Sequence, residues 1–293
     1  MKYTVTADWH LRPDSPRCRS DENWEKTMEK MIQFIVDTNK GDSAKLTIIG
    51  DLFDFSQQPP WIVNMFLDLV PDGVIFAGNH DFKHRNMNEI EASSIGHLLK
   101  NPKYEACVPE IEDGFFEYSK DLLFCHRLVY SPENAGLEKF KNGISVDTLI
   151  EEAADVCSSV KWIFIGDNHH KFHHISPEGI HVINPGSPLI YNASMIGSTC
   201  GFYTVDTDKE TVEFHEVPDN PDILTDKYLR DKEAHSEKMQ EFVASLNDSE
   251  VKTMDFFELC DEKAKSEDKE FLSIYEDIKT ETIQIKTKLG KGA

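Results

Sequence analysis

Basic residues are scarce in this chain: 31 Lys and Arg stand against 53 Asp and Glu, a formal net charge of −22 over 293 residues. Whole-surface attraction to nucleic acid rests on Lys and Arg neutralising phosphates, so that mode of binding is disfavoured. The acidity is not confined to a tail. From Pro218 onward the net charge is −7, which leaves −15 in residues 1–217. Divalent cations bound in that part would offset some of it. Cysteine pairs are also missing. Cys18, Cys107, Cys125, Cys157, Cys200 and Cys260 are scattered with no CxxC spacing. That argues against both a zinc ribbon and a disulfide framework, so a reducing interior is the simpler setting. No window approaches the ~18 apolar residues of a membrane span. Residues 1–6 run straight into a strand-like segment without the charged start and apolar stretch of a secretory signal. A cytoplasmic protein is expected. Internal repeats and low-complexity tracts are absent.

Present instead is a regular alternation of strand and helix patterns through the first two-thirds, which defines an α/β chain. Strands are expected at 2–7, 45–49, 73–77, 104–108, 115–118, 122–125, 162–165, 180–184, 201–205 and 211–217. The last three cluster as a second, partly antiparallel sheet. Residues 24–39 place Trp24, Met28, Met31, Ile32, Ile35 and Val36 on one helical face, with Asp21 as a cap and Gly41 as a stop. Residues 61–70, with Pro60 at the first position, and 145–156 are further helices. The turn Pro218-Asp219-Asn220-Pro221-Asp222 divides the chain into residues 1–217 and an acidic, mainly helical extension, 218–293. Apolar positions there, such as Met239, Phe242, Phe256 and Ile274, suit a docking surface or a helical lid.

The chemistry lies in where the polar residues fall. Asp8-Trp9-His10, Gly50-Asp51-Leu52-Phe53-Asp54, Gly78-Asn79-His80-Asp81, His126-Arg127 and Gly166-Asp167-Asn168-His169 each follow an expected strand. Open α/β sheets place their sites at that carboxyl end. Any one cluster is commonplace, but five in series are not. Oxygen and imidazole donors without cysteine suit manganese, magnesium, iron or zinc. A single carboxylate can bridge two ions, and Asp51, between two clusters, is the natural bridge.

This ordered set resembles the calcineurin-like metallophosphoesterase superfamily over residues 1–217. The resemblance implies a four-layer α-β-β-α sandwich carrying the small C-terminal helical extension, and two divalent cations, manganese first among them. It places Asp8, His10, Asp51 and His169 around one ion, and Asp51, Asn79 and His126 around the other. It also implies that His80 faces the scissile phosphate and stabilises or protonates the leaving oxygen, with Asp81 orienting it. The last motif departs from the family's Gly-His-x-His, since Asp167 stands where a histidine ligand is usual. Asp167 either ligates with altered affinity or leaves one tight and one weak ion. His170, His173 and His174 are potential substitutes or solvated loop histidines.

Within the superfamily, residues 3–11, Asn184-Pro185-Gly186-Ser187-Pro188 and the strand pair 201–217 are most similar to SbcD-type DNA repair nucleases. That resemblance implies manganese-dependent DNA exonuclease or endonuclease activity, a coiled-coil ATPase partner of the SbcC type and a homodimer. Arg12, Arg17 and Arg19, and Lys83, His84 and Arg85, would be a local basic strip beside the metals. The net charge favours the alternative, a phosphatase or phosphodiesterase for a nucleotide or other small ester. An inactive scaffold of the same fold is the third reading.

Overall fold

Two sheets face each other in this chain, and apolar side chains alternate along their strands to bury both surfaces of each. The structure, a computed structural model, describes residues 1–83, 86–108, 114–132, 142–219, 223–225 and 230. The first sheet contains β1 (Lys2–Thr6), β2 (Lys45–Ile49), β3 (Gly73–Phe76), β4 (Tyr104–Cys107), β12 (Gly201–Asp206) and β13 (Thr211–Glu216), in the order β13-β12-β1-β2-β3-β4. The second contains β5 (Phe115–Ser119), β6 (Leu122–His126), β9 (Trp162–Gly166), β10 (Phe172–Ile175) and β11 (His181–Asn184), in the order β10-β11-β9-β6-β5. Strands β1 to β4 run parallel, as do β6, β9 and β11. The carboxyl ends of these parallel runs carry the five polar clusters.

Side-chain alternation with period two creates three apolar layers. Tyr3 and Val5 of β1, Phe76 of β3, Phe124 of β6 and Phe164 of β9 meet between the sheets. Leu46 and Ile48 of β2 and Phe202 of β12 point outward to α1 (Trp24–Asp42) and α2 (Pro60–Leu69), against Met28, Ile32 and Phe66. Leu123 and Ile163 point outward on the other side, to Leu149 and Ala153 of α4 (Val146–Val156). The result is the expected helix-sheet-sheet-helix sandwich. A short α3 (Ser94–Leu99) and a two-stranded ribbon, β7 (Val129–Tyr130) with β8 (Ile144–Ser145), complete the described elements beyond two 3-10 turns.

Three local expectations change. Strands β12 and β13 belong to the first sheet, because β12 pairs antiparallel with β1 from Lys2 to Val5. Only β11 of the expected trio joins the second sheet. Asn23, not Asp21, caps α1, accepting from the Lys26 amide at 2.9 Å. The helix continues through Gly41 and stops at Ser43, whose left-handed backbone (φ 51°) returns its N–H to Asn39 and Lys40.

Asp21 serves a different purpose. It and Asp219 grip the buried Arg19 guanidinium, with contacts of 2.8 Å to Nε and 2.7 Å to Nη1, and the Ile190 carbonyl accepts from it at 3.0 Å. Burial opposes ionisation of Asp21, but Arg19 outweighs it and holds the carboxyl below its usual range. Arg19 is thus structural rather than part of a basic strip. Ser20 N–H bonds the Ile223 carbonyl, and Thr225 N–H the Cys18 carbonyl. The body therefore continues past the expected boundary at Val217, and the chain divides into compact units Met1–Leu229 and Arg230–Ala293. The helices expected beyond Arg230 lie outside the described residues. Arg19→Leu strands two carboxylates. We expect a loss of about 3–5 kcal/mol in denaturant unfolding; a change under ~1 kcal/mol would contradict this reading of the cluster.

Candidate metal centre

The loops after β1, β2, β3, β6 and β9 converge at one end of the sandwich. Asp8, His10, Asp51 and Asp167 all have positive φ, between 45° and 80°. Side-chain residues rarely adopt this region, and strain of this kind concentrates at functional sites. The flanking glycines are fixed by close approach. A Cβ on Gly50 (φ 77°) would collide with the His126 ring, and one on Gly186 (φ 68°) with the backbone of His169 and Lys171. Gly186 belongs to the Pro-Gly-Ser turn, whose role now becomes clear. Ser187 Oγ donates to the Asp8 carbonyl at 2.8 Å and its N–H to the His169 carbonyl at 3.2 Å. Two of the polar loops are held by that one residue.

Three groupings of donor atoms, each within 4.8 Å of one another, form here: Asp8–His10–His169, His10–Asp51–His80 and Asp8–Asp51–His126. Asp51 Oδ1 accepts from the His80 amide at 2.9 Å. Its Oδ2 faces His126 Nε2 at 3.2 Å and His10 Nε2 at 3.8 Å. The orientation of both rings is set from behind. His10 Nδ1 donates to Asp54 Oδ1 at 3.2 Å, and His126 Nδ1 to the Ile49 carbonyl at 3.0 Å. Each Nε2 therefore points into the centre, as metal-binding histidines are arranged.

Four buried atoms at this point lack hydrogen-bond partners: His10 Nε2, Asp51 Oδ2, Asn79 Oδ1 and His126 Nε2. Unpartnered buried polar atoms are costly and demand an explanation. Convergent donors of this type are what divalent cations require, so the residues present fit metal binding.

The electrostatics agree. Burial pushes the Asp8 carboxyl well above its usual range, reinforced by Asp51 and Asp167 and opposed by His126. Burial also acts against charge on Asp51, yet His126, His10 and His80 hold its carboxyl low. For His126 burial works downward, but Asp51, Asp8 and Asp167 prevail and lift it to about 10. His169 is pushed down to about 3 by burial and by His10, so it is neutral and ready to donate a lone pair. Since His126 must be neutral to ligate, metal binding near pH 8 should expel about one proton, and affinity should climb with pH until about 10. Calorimetric titration in buffers of different ionisation heat measures this; heats independent of buffer would contradict it.

Two expected roles are revised. Asp81 does not orient His80. Its buried carboxylate accepts from the amides of Gly78 at 2.9 Å, Phe53 at 3.0 Å and Leu52 at 3.4 Å, locking the second and third loops together. Burial and the neighbouring Asp51 lift it to about 7 despite those donors. His80 is oriented by the Asp54 carbonyl, which accepts from its Nδ1 at 3.1 Å. Asp81→Ala should therefore cost roughly 2–4 kcal/mol by orphaning buried amides. A loss of turnover at unchanged stability would restore the orienting role. Asp167 reaches the centre, but it belongs to none of the three groupings. Its N–H donates to Asp8, and its Oδ1 accepts from Asn79 Nδ2 at 3.3 Å, turning Asn79 Oδ1 inward.

Other contributors gave no role in the sequence. Asp54 binds His10 and also Arg12 Nη1 at 3.0 Å. The Tyr191 ring lies tilted against His10, with centroids 4.2 Å apart, and its hydroxyl touches both ring nitrogens of His169. Asp54 was visible within the Gly-Asp-x-x-Asp motif. Tyr191 had no local signal. Of the extra histidines, His170 Nδ1 pairs with Ser198 Oγ at 3.0 Å, and His173 Nε2 with His181 Nδ1 at 3.1 Å, so neither joins the metal groupings.

Buried donors thus converge at the carboxyl ends of the parallel strands of two facing mixed sheets, an arrangement that fits a metal-dependent hydrolase. Residues 1–186 match the model of the calcineurin-like phosphoesterase family, and the chain belongs to that family. Among solved structures it is similar to a metallophosphoesterase from Sphaerobacter thermophilus, at 14% identity and TM-score 0.41, over 75% of this chain and 90% of that one. A dimetal phosphatase from Danio rerio shows 12% identity and TM-score 0.39, over 69% and 91%. No curated protein matches the sequence. Among the described residues, no helix is long and apolar enough to cross a membrane.

Proposed function

We propose that this protein is a two-metal phosphodiester hydrolase acting on DNA in the manner of SbcD-type nucleases. The observation that carries the metal chemistry is Asp51 Oδ2, unpartnered and facing both His126 and His10. Asp8, His10, Asp51 and His169 would hold one ion; Asp51, Asn79 and His126 would hold the other, with Asp167 steadying Asn79. When bound, divalent cations supply Lewis acidity, lower the pKa of a water and stabilise an in-line displacement at phosphorus. The chain's own residues do the rest. Asp54 fixes the His10 ring through its carboxylate and the His80 ring through its carbonyl. The half-buried His80, its Nδ1 committed as a donor, has Nε2 left and would use it at the leaving oxygen.

The DNA assignment rests on the resemblance of the opening strand and the Pro-Gly-Ser turn; the exposed Phe55, next to Asp54 in sequence with the Arg12 guanidinium 5.6 Å from its ring centroid, is an aromatic against which a base could pack. Manganese is the expected ion and the cytoplasm the expected compartment. A homodimer and an SbcC-type ATPase bound through the C-terminal extension complete the proposal. The net charge of −22 supports the second reading, hydrolysis of a small phosphate ester.

Incubation with manganese and end-labelled single- and double-stranded DNA separates them. Stepwise shortening that His80→Ala abolishes supports the nuclease. Intact DNA alongside hydrolysed bis-para-nitrophenyl phosphate transfers the assignment to small esters. Truncation after Leu229, rather than Val217, tests the partner, since the first preserves the Asp219 grip on Arg19.

A further inference from the structure

Two imidazoles of the centre share one construction. His10 Nδ1 is held by Asp54 Oδ1 and His126 Nδ1 by the Ile49 carbonyl, and each ring leaves a buried Nε2 without a partner. His169 breaks the pattern. Among the described residues, neither a carboxylate nor a backbone carbonyl accepts from its ring. Its neighbours are the Tyr191 hydroxyl, 2.6 Å from Nδ1 and also touching Nε2, and Asn192 Nδ2, 3.4 Å from Nδ1.

A neutral imidazole carries a proton on one nitrogen and a lone pair on the other. The nitrogen that faces an ion must carry the lone pair, so the other needs an acceptor for its N–H. Asn192 cannot supply one. Its Oδ1 accepts from the Ser194 amide at 3.0 Å and the Ser194 hydroxyl at 2.6 Å, which leaves its NH2 group for His169. The Tyr191 oxygen can, and because it reaches both ring nitrogens it serves whichever of them carries the proton.

That oxygen is fixed from several sides. Ser187, four residues earlier, donates Oγ to the Asp8 carbonyl at 2.8 Å. Arg19 Nη1 donates to the Ile190 carbonyl at 3.0 Å, immediately before Tyr191. The Tyr191 ring then packs against the buried cluster of Cys18, Ile190, Met195 and Cys200. Its centroid lies 4.2 Å from that of His10 and 4.7 Å from that of His169. Tyr191 thus contacts two of the three side chains in the Asp8–His10–His169 grouping. His126 and Asn79, at the other ion, take their orientation from Ile49 and Asp167 instead.

We infer that Tyr191 is a positioning residue for the first ion: its hydroxyl holds the His169 ring in the one tautomer that can ligate, and so sets that ion's affinity. The inference rests on the two-metal reading and adds to it a residue from outside the five polar clusters.

Tyr191→Phe keeps the ring against His10 and removes only the oxygen. Two measurements on the full chain read the result. Long-range proton–nitrogen NMR of the metal-free protein reports the His169 tautomer, its signal being assigned by its loss in His169→Gln. Stepwise calorimetric titration with manganese reports the two affinities. The wild type should show a single tautomer and the variant a mixture. One affinity should fall about 10- to 100-fold and the other should stay within about twofold. A mixture in the wild type, an unchanged tautomer in the variant, unchanged affinities or tighter binding overturns the inference. An equal fall in both affinities does so too, and marks a packing role. If the wild type takes up no manganese while the tautomer still shifts in the variant, the two-metal reading fails and the positioning of the ring stands.

Discussion

Asp51→Asn should release both metal ions together and reduce turnover by at least roughly 10³-fold, since each ion contributes several kcal/mol to the transition state. The substitution preserves shape and the acceptor for the His80 amide, so the fold should survive. It removes the charge from the one oxygen that faces both His10 and His126. Loss of one ion alone would mean that Asp51 serves a single site. Full occupancy of both, measured by elemental analysis after gel filtration, would exclude it as the bridge.

His80→Ala should separate binding from chemistry. His80 takes part in one donor grouping, with His10 and Asp51, but those two residues have other partners in the remaining groupings. Metal content should therefore stay close to that of the wild type. Turnover should fall about 10²- to 10⁴-fold, the usual worth of a positioned acid or base. The deficit should shrink for esters with good leaving groups, which need little help at the leaving oxygen. A uniform deficit across leaving groups would point to lost positioning of the phosphate instead. Depleted metal would make His80 a ligand.

The parts of this molecule legible in the sequence were those with local causes. Strand alternation such as Leu122-Leu123-Phe124-Cys125 serves two apolar layers at once, and so announces a buried strand. The five polar clusters were visible because each follows such a strand. What the sequence could not show was long-range placement. Strand β12 returns to pair with β1 across 200 residues, which no pattern within 201–206 encodes. Tyr191 meets His169 only because the Pro-Gly-Ser turn directs the chain back beneath the Asp8 loop.

Misassigned roles had the same origin. Asp81 adjoins His80 in sequence, yet the tight turn sends its carboxylate toward the amides of Leu52 and Phe53. Adjacent side chains in a turn need not share a target. Asp21 looked like a cap because it precedes a helix by three residues. The charge of Arg19, buried beneath Trp24, claims it instead. At Asp167 the resemblance leads one to expect a histidine ligand. In this chain its carboxylate is engaged with the Asn79 amide, which points to a positioning role.

The central claim is that the convergent donors form a metal centre that hydrolyses phosphate esters. The most direct measurement strips the protein with chelator, returns manganese in steps and follows bis-para-nitrophenyl phosphate hydrolysis. The account predicts no activity without metal, activity that rises until both ions are bound, and no comparable rise in Asp51→Asn. Hydrolysis that persists in chelator, or an equal rise in the variant, would contradict it.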